Sequence, residues 1–394
     1  MRLEHLSLTN YRSISHLDID IPGGIVLING RNAQGKTSLL EAIYYTATFT
    51  SFLTAQDIQL LSFNALAEEI PVTRIVADLL KGDKRYRLEI RLILQKDPQN
   101  SSTGRVRKEI LVDGVKKTAA QAIGLFTAVV FIPQMTRMLE NGPEERRRYM
   151  NLMLCQVVPG YAHHLSKYAA AHTRRNALLK QLGEHGGDLS QLDYWDEQLS
   201  DHGAHIFCAR KDALLHLQHY VEEIHLGLTA GNERLLLEYR PSTGGQINPI
   251  MAEDHSVDEL KQVLQNAFLH RHTQDIQRGM TSLGPHRDDM IININDRNLA
   301  DYGSRGQVRT SLQSLKLAEV EWMHAQTGTA PVLLLDETLA ELDGPRRHDL
   351  LTKLTSVDQA LLTTTDLDLF DNDFVLNACL WEVSQGEVAK VVVS

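Results

Sequence analysis

The chain reads as an α/β protein, a head built on a mixed sheet with helices, into which a helical arm domain is inserted. Three observations predict this. Apolar runs at 25–28, 128–131 and 331–335 have the length and continuity of buried sheet strands. The first leads through a glycine-containing loop into Leu39, Leu40, Ile43, Tyr44 and Ala47, which is helical spacing. From 143 to 279 alternation gives way to 3–4 spacing, and mixed structure then returns.

In chain order, Leu17, Ile19 and Ile21 alternate with Asp18 and Asp20, so a strand is predicted, followed by a turn at Pro22-Gly23-Gly24. Tyr86, Leu88, Ile90, Leu92 and Leu94 alternate again, and polar 96–104 is read as a hairpin loop. Asp113-Gly114 between apolar residues is a strong hairpin turn. In the middle, Leu165, Tyr168, His172, Asn176, Leu179 and Leu182 keep to one side of a helix, which Gly183, Gly186 and Gly187 are expected to break. Ser190-Gln191-Leu192-Asp193 reads as a capping box that opens a second, very long helix. Two such helices make an antiparallel hairpin, a protruding arm, with an ordinary bundle as the alternative. A loop follows at 241–249. Near the end, 290–294 is a strand, Asn295-Asp296 a turn, 311–326 a helix and 361–363 a strand. The predicted organisation is a discontinuous head, 1–140 plus 280–394, interrupted by a helical insertion over 141–279.

Composition narrows the function classes. A chain of 394 residues suggests two to three structural units. Its net charge of −10 excludes a wholly basic nucleic-acid binder but not a local basic patch. Cys155, Cys208 and Cys379 are too few and too scattered for a disulfide framework, so a reducing compartment is expected. No apolar run approaches the roughly 18–20 residues of a membrane span. The first residues lack an apolar signal core, so a cytoplasmic protein with no membrane partner is expected.

Gly30-Arg31-Asn32-Ala33-Gln34-Gly35-Lys36-Thr37 fits G-x-x-x-x-G-K-[ST] between a predicted strand and a predicted helix. Glycines let backbone N–H groups curl around phosphate oxygens, and the helix N-terminus adds its positive end. Lys36 is expected on the β- and γ-phosphates of ATP, with the Thr37 hydroxyl on Mg²⁺. A second strand, 332–335, ends in Asp336-Glu337. Asp336 suits the Mg²⁺ shell, and Glu337 is placed to polarise or orient an attacking water. About thirty residues earlier, Ser304-Arg305-Gly306-Gln307 is a small donor-rich turn before a helix, a further anion site. The order of phosphate loop, serine-glycine-glutamine turn and acidic strand is that of ABC-type ATPases.

Longer stretches carry a resemblance. Leu8-Thr9-Asn10-Tyr11-Arg12, the run 34–43, Phe131-Ile132-Pro133, Glu145-Arg146-Arg147-Arg148-Tyr149, Leu283-Gly284-Pro285-His286-Arg287-Asp288-Asp289 and the run 335–343 are similar, end to end, to the RecF family. These are recombination-mediator ATPases related to the chromosome-maintenance ABC ATPases. The resemblance implies an ABC-type P-loop ATPase head and two heads sandwiching two ATP molecules. It extends the nucleotide-binding set to Arg12, Ser38 and Asp343, with Ser304, Gly306 and Gln307 supplied by the opposite subunit. It places Gln134 beside Glu337 as a catalytic residue sensing Mg²⁺ and water, and Thr364 or Thr365 where many ABC proteins carry a histidine. It implies a weak DNA-stimulated ATPase acting in recombinational repair and the SOS response, with RecR, and RecO as a further candidate, as partners. Departures at Ala33, Gln134, Arg305 and Glu337 bear on hydrolysis rate more than on binding.

DNA contact requires cations facing phosphates. Candidates are Arg146, Arg147 and Arg148, then Arg174, Arg175 and Lys180, then Arg105, Arg107, Lys108, Lys116 and Lys117. For each cluster a solvated face is the better reading, and Arg146 to Arg148, after Glu144 and Glu145, read as a salt-bridged helix start. His202, His205 and Cys208 share helical spacing, but a helix seam is the better reading than a metal site. His286 is expected in structural or inter-lobe contacts. The leading reading is an ATP-gated homodimer that clamps duplex or gapped DNA without sequence preference, releases it on slow hydrolysis and helps load recombinase at gaps. The alternative is an ATP-gated binding module with negligible hydrolysis. A transporter subunit is disfavoured by the long separation of Lys36 from Ser304, and an ATP-dependent nuclease by the lack of a nuclease domain.

Overall fold

The computed structural model describes residues 1–97, 100–243, 256–342, 344–354 and 357–391. It separates into two compact units, Met1–Met135 with Glu319–Ser394, and Thr136–Ala318.

The first unit holds two six-stranded sheets. One is an antiparallel sheet, ordered Ile14–Asp20, Arg2–Tyr11, Val72–Lys81, Lys84–Asp97, Asn100–Val112 and Val115–Lys117. The predicted loop at 96–104 is largely strand: pairing continues through Lys96↔Gly104 to Asp97↔Asn100, with 98–99 outside the described residues. The other sheet is ordered Glu387–Val391, Cys379–Ser384, Gly24–Asn29, Gln359–Thr364, Val332–Asp336 and Ala128–Phe131, parallel except at the Glu387–Val391 edge. The helix Lys36–Thr48 lies against strands of both sheets and is buried on almost every face, which explains its weakly amphipathic sequence. Leu39, Leu40 and Ile43 join Leu3, Leu6 and Leu8 of one sheet and Val26, Leu334 and Leu361 of the other in a single core.

The second unit is mainly helical. Tyr161–His185 and the 38-residue Gln191–Leu228 form the predicted hairpin, the latter about 57 Å long. Val257–Arg278 packs against both, with Ile276 on the small core of Leu179, Leu182 and Leu192. Gly183 does not break its helix. It lets the neighbouring helix approach, since a Cβ there would stand 3.0 Å from the Ile276 carbonyl. Nor does Ser190 cap as expected. Asp188 binds its backbone N–H and hydroxyl at 2.9 and 2.7 Å, closing a turn before the helix.

Residues 280–318, predicted in the head, group with this second unit. The reason is local pairing: Asp289–Ile294 hydrogen-bonds antiparallel to Leu235–Arg240, which leans on the long helix. The predicted helix at 311–326 starts earlier, as Arg305–Thr327. Within the predicted loop at 241–249, residues 244–249 lie outside the described residues.

Candidate functional site

Parallel register brings the site together. Thr364 pairs with Asn29 and Thr363 with Asp336, so strands 24–29, 359–364 and 332–336 end at one sheet edge. Ligand sites of open α/β sheets lie at such carboxyl ends. The phosphate-binding loop leaves Asn29 there. Gly35 heads the following helix in a left-handed conformation, φ 108°, with no side-chain cap, so the first-turn N–H groups of Lys36, Thr37 and Ser38 keep their positive end for an anion. Ala33, where a glycine is common, also sits at positive φ, 62°.

Lys36 is buried and donates to the carbonyls of Gly30 and Arg31 at 2.6 and 3.2 Å. Its ammonium also pairs with Glu337 at 3.1 Å. Thr37 Oγ1 donates to Asp336, 3.0 and 2.8 Å from the two carboxylate oxygens. Burial pushes the Asp336 carboxyl upward, against the hydroxyl bonds from Thr363 and Thr37 that favour its ionised form. Glu337 takes a left-handed backbone, φ 50°, and its N–H is held by Thr363 Oγ1 at 3.0 Å. That conformation turns its carboxylate back towards Lys36 and leaves the side chain 40% exposed. Thr363, which donates to Asp336 at 2.7 Å, is a site residue that sequence reasoning misses, because it ends a strand legible only as an apolar run.

Other expected residues are placed differently. Gln134 is exposed in the turn Pro133–Met135, which follows strand 128–131. Arg12, also at positive φ, 53°, forks onto Glu41 at 2.8 and 2.7 Å. Glu41 is fully buried and also takes the Ser51 hydroxyl, so the Arg12 guanidinium is held by the protein itself. Thr364 bonds the Asp366 carbonyl at 2.7 Å. Asp343 lies outside the described residues.

In the second unit, Ser304 and Gln307 form a reciprocal cap. The Ser304 N–H donates to Gln307 Oε1 at 2.9 Å, and the Gln307 N–H to Ser304 Oγ at 3.2 Å. This S-x-x-Q box explains why the helix begins at 305. Ser304, Arg305 and Gly306 are exposed on this helix N-terminus.

The basic candidates divide sharply. Arg146 is buried and bidentate to Asp289 at 2.7 and 2.8 Å. Arg175 is fully buried between Asp196 and Asp275, at 2.6 and 2.7 Å. Neither presents charge to solvent, which corrects their reading as DNA contacts; both neutralise carboxylates inside the unit. Arg147 is half-buried on the Asp288 carbonyl, and Lys108 turns inward to Phe49 and Asp57. Arg174, stacked on Trp195, and Lys180 are exposed, as are Arg105, Lys116 and Lys117.

The Gly284–Asp289 motif is a structural junction. Buried Asp288 pairs with buried Arg210 at 2.7 Å, and Arg210 also reaches the Pro285 carbonyl and Asn151. His286 bonds Tyr168 at 2.8 Å and the Thr281 carbonyl at 3.1 Å. His202 meets His164 across the helical hairpin, Nδ1 to Nδ1 at 3.1 Å. Among the described residues no group of three or more His, Cys, Asp or Glu converges to hold a metal ion. No helix of the described residues is long and apolar enough to cross a membrane.

A family model described as an AAA domain matches residues 5–151. The DNA replication and repair protein RecF of Halalkalibacterium halodurans is 34% identical over 391 residues, 99% of this chain and 100% of its own. The chain belongs to the RecF family. The same-named RecF protein of Agathobacter rectalis is 34% identical over 98% of this chain and 99% of its own. A solved RecF–ATP structure, described as a recombination mediator protein in the RecFOR pathway, is 30% identical with a TM-score of 0.85, covering 99% of this chain and 97% of that one. An SMC head bound to the C-winged helix domain of ScpA is 16% identical with a TM-score of 0.50, covering 100% and 98%, and so shares with this RecF-family chain the ABC-type head fold alone.

Proposed function

We propose that this chain is an ATP-driven DNA-binding protein of replication and repair, closed by ATP into a homodimer around duplex or gapped DNA. The observation that carries the nucleotide half is the convergence of Lys36, Thr37, Asp336 and Glu337 at one sheet edge. Lys36 and the first-turn N–H groups bind and orient the phosphates. The Thr37 hydroxyl and the Asp336 carboxylate are adjacent hard oxygen donors, a set that fits Mg²⁺, which binds through one or two carboxylates plus substrate phosphates. When bound, Mg²⁺ neutralises charge on the β- and γ-oxygens. Glu337, freed from Lys36, accepts a proton from or orients the attacking water, and Gln134 serves as the residue that senses Mg²⁺ and water. Ser304, Gly306 and Gln307 of a second copy present their helix N-terminus to the γ-phosphate, and Asp343 contacts the partner subunit. Arg12 joins the nucleotide only by leaving its fork on Glu41.

The DNA half rests on the family, whose members are named for DNA replication and repair. At net −10, contact falls to exposed cations such as Arg174 and Lys180, which bind backbone without reading sequence. Slow, DNA-stimulated hydrolysis then releases the clamp, and recombinase loading with RecR and RecO follows at single-strand gaps. Light scattering of Glu337→Gln with Mg-ATP, with and without short duplex DNA, tests this. An ATP-dependent dimer that captures DNA in a salt-sensitive way is expected. A monomer under every condition overturns the dimer. A dimer in the unmodified chain with no ATP turnover favours a purely ATP-gated binding module.

A further inference from the structure

The phosphate-binding loop is held from outside by a piece of chain that none of its motifs mention. Strands 379–384 and 387–391 are joined by the two-residue turn Gln385-Gly386, with φ of 51° and 82°. Positive φ at both positions is the geometry of a tight hairpin. The Gly386 N–H donates to the Gln34 carbonyl at 2.9 Å, and the Gln385 N–H to Gln34 Oε1 at 2.7 Å. Main chain and side chain of one loop residue are therefore both captured. The strand leading into the turn closes on the start of the loop, because a Cβ on Gly30 would lie 2.5 Å from the Val383 carbonyl. The far end is touched too: a Cβ on Gly35 would stand 3.5 Å from Gly386 Cα and 3.4 Å from Ser13 Oγ. On its other side the turn meets the residue after Arg12, with a Gly386 Cβ only 2.8 Å from the Ser13 carbonyl.

We propose that the Gln385-Gly386 turn is a positioning element for the phosphate-binding loop, fixing its N–H groups for phosphate and setting the distance between that loop and the Arg12-Ser13 turn. This rests on the reading of the loop as the nucleotide site. Strand 379–384 pairs in parallel with strand 24–29, which launches the loop, with Cys379 opposite Val26 and Glu382 opposite Asn29. The brace and the braced segment thus share one rigid sheet. The loop needs such a support, since Ala33, which has a Cβ, sits at positive φ, 62°. An anion cradle works only when its donors are already in place.

Calorimetric titration with MgADP, alongside thermal melting, tests the proposal on four variants. Lys36→Ala tests the underlying reading and should abolish binding that the unmodified chain shows. Gly386→Ala and Gln34→Ala should each weaken MgADP by about tenfold or more, as a loop displaced by a fraction of an ångström does. Gly114→Ala is the control, since it puts a Cβ on a comparable left-handed backbone, φ 78°, with nothing within 4 Å of its Cβ position. It should lower the Tm and leave the Kd unchanged. Unaltered MgADP affinity in Gly386→Ala and Gln34→Ala, with Lys36→Ala inactive, overturns the brace. No binding by the unmodified chain instead removes the nucleotide reading itself. If Gly386→Ala does not fold, the Kd of Gln34→Ala decides alone.

Discussion

The Thr37 hydroxyl donates to the Asp336 carboxylate at 2.8 Å, joining residues 299 positions apart in the chain. The phosphate loop and the acidic strand are therefore one site before any ligand enters. Asp336 also accepts from Thr363, so its orientation is set twice.

Asp336→Asn should lose Mg²⁺-dependent ATP turnover by about a hundredfold or more, because the remaining amide is a poor ligand for a hard cation. The fold should survive, since the amide oxygen still accepts from Thr37 and Thr363. Turnover as a function of Mg²⁺ concentration checks the first expectation and circular dichroism the second.

Arg210→Ala should destabilise the second unit by about 3–5 kcal/mol, because it strands the buried Asp288 carboxylate. Arg175→Ala should cost a similar amount, with two carboxylates left behind. Urea unfolding monitored by tryptophan fluorescence reads both.

Arg174→Ala and Lys180→Ala should behave oppositely, with stability changing by less than about 0.5 kcal/mol. If they contact DNA backbone, each should reduce the slope of log affinity against log salt by about 0.9. Fluorescence anisotropy of duplex DNA over a salt series measures this. An unchanged slope in both removes them from the interface.

His286 gives a pH signature. Burial, helped by the neighbouring His172, Arg287 and Arg147, pushes its pKa from 6.5 down to about 3. The native imidazole thus stays neutral over a range in which the unfolded chain takes up a proton. Its contribution to stability is present above 6.5 and is lost as pH falls from 6.5 towards 3. His286→Gln should flatten the loss of urea stability between pH 7 and pH 5, about the window in which the unfolded imidazole titrates.

What could be read in advance divides along physical lines. Gly30 to Thr37 was legible because phosphate binding demands particular residue types at short, fixed spacing. The long helices were legible because apolar period survives in any helix with one buried face. The strand Arg2–Tyr11 is legible only in its alternating part from Leu6 onward, because a bulge between Leu3 and His5 shifts the phase before it. The start of helix 305–327 lies earlier than its apolar spacing predicts because Ser304 and Gln307 cap it reciprocally.

The charged residues show the deeper limit. Arg174 and Arg175 are consecutive, yet one lies on the surface over Trp195 and the other is sealed between Asp196 and Asp275. Local sequence settled the chemistry of the phosphate loop and the class of fold, since both depend on neighbours a few positions away. Sheet order placed Asp336 beside Thr37, Glu41 beneath Arg12 and the Gln385-Gly386 turn against Gln34. Those contacts join residues far apart in the chain, so burial and partner choice followed from packing alone.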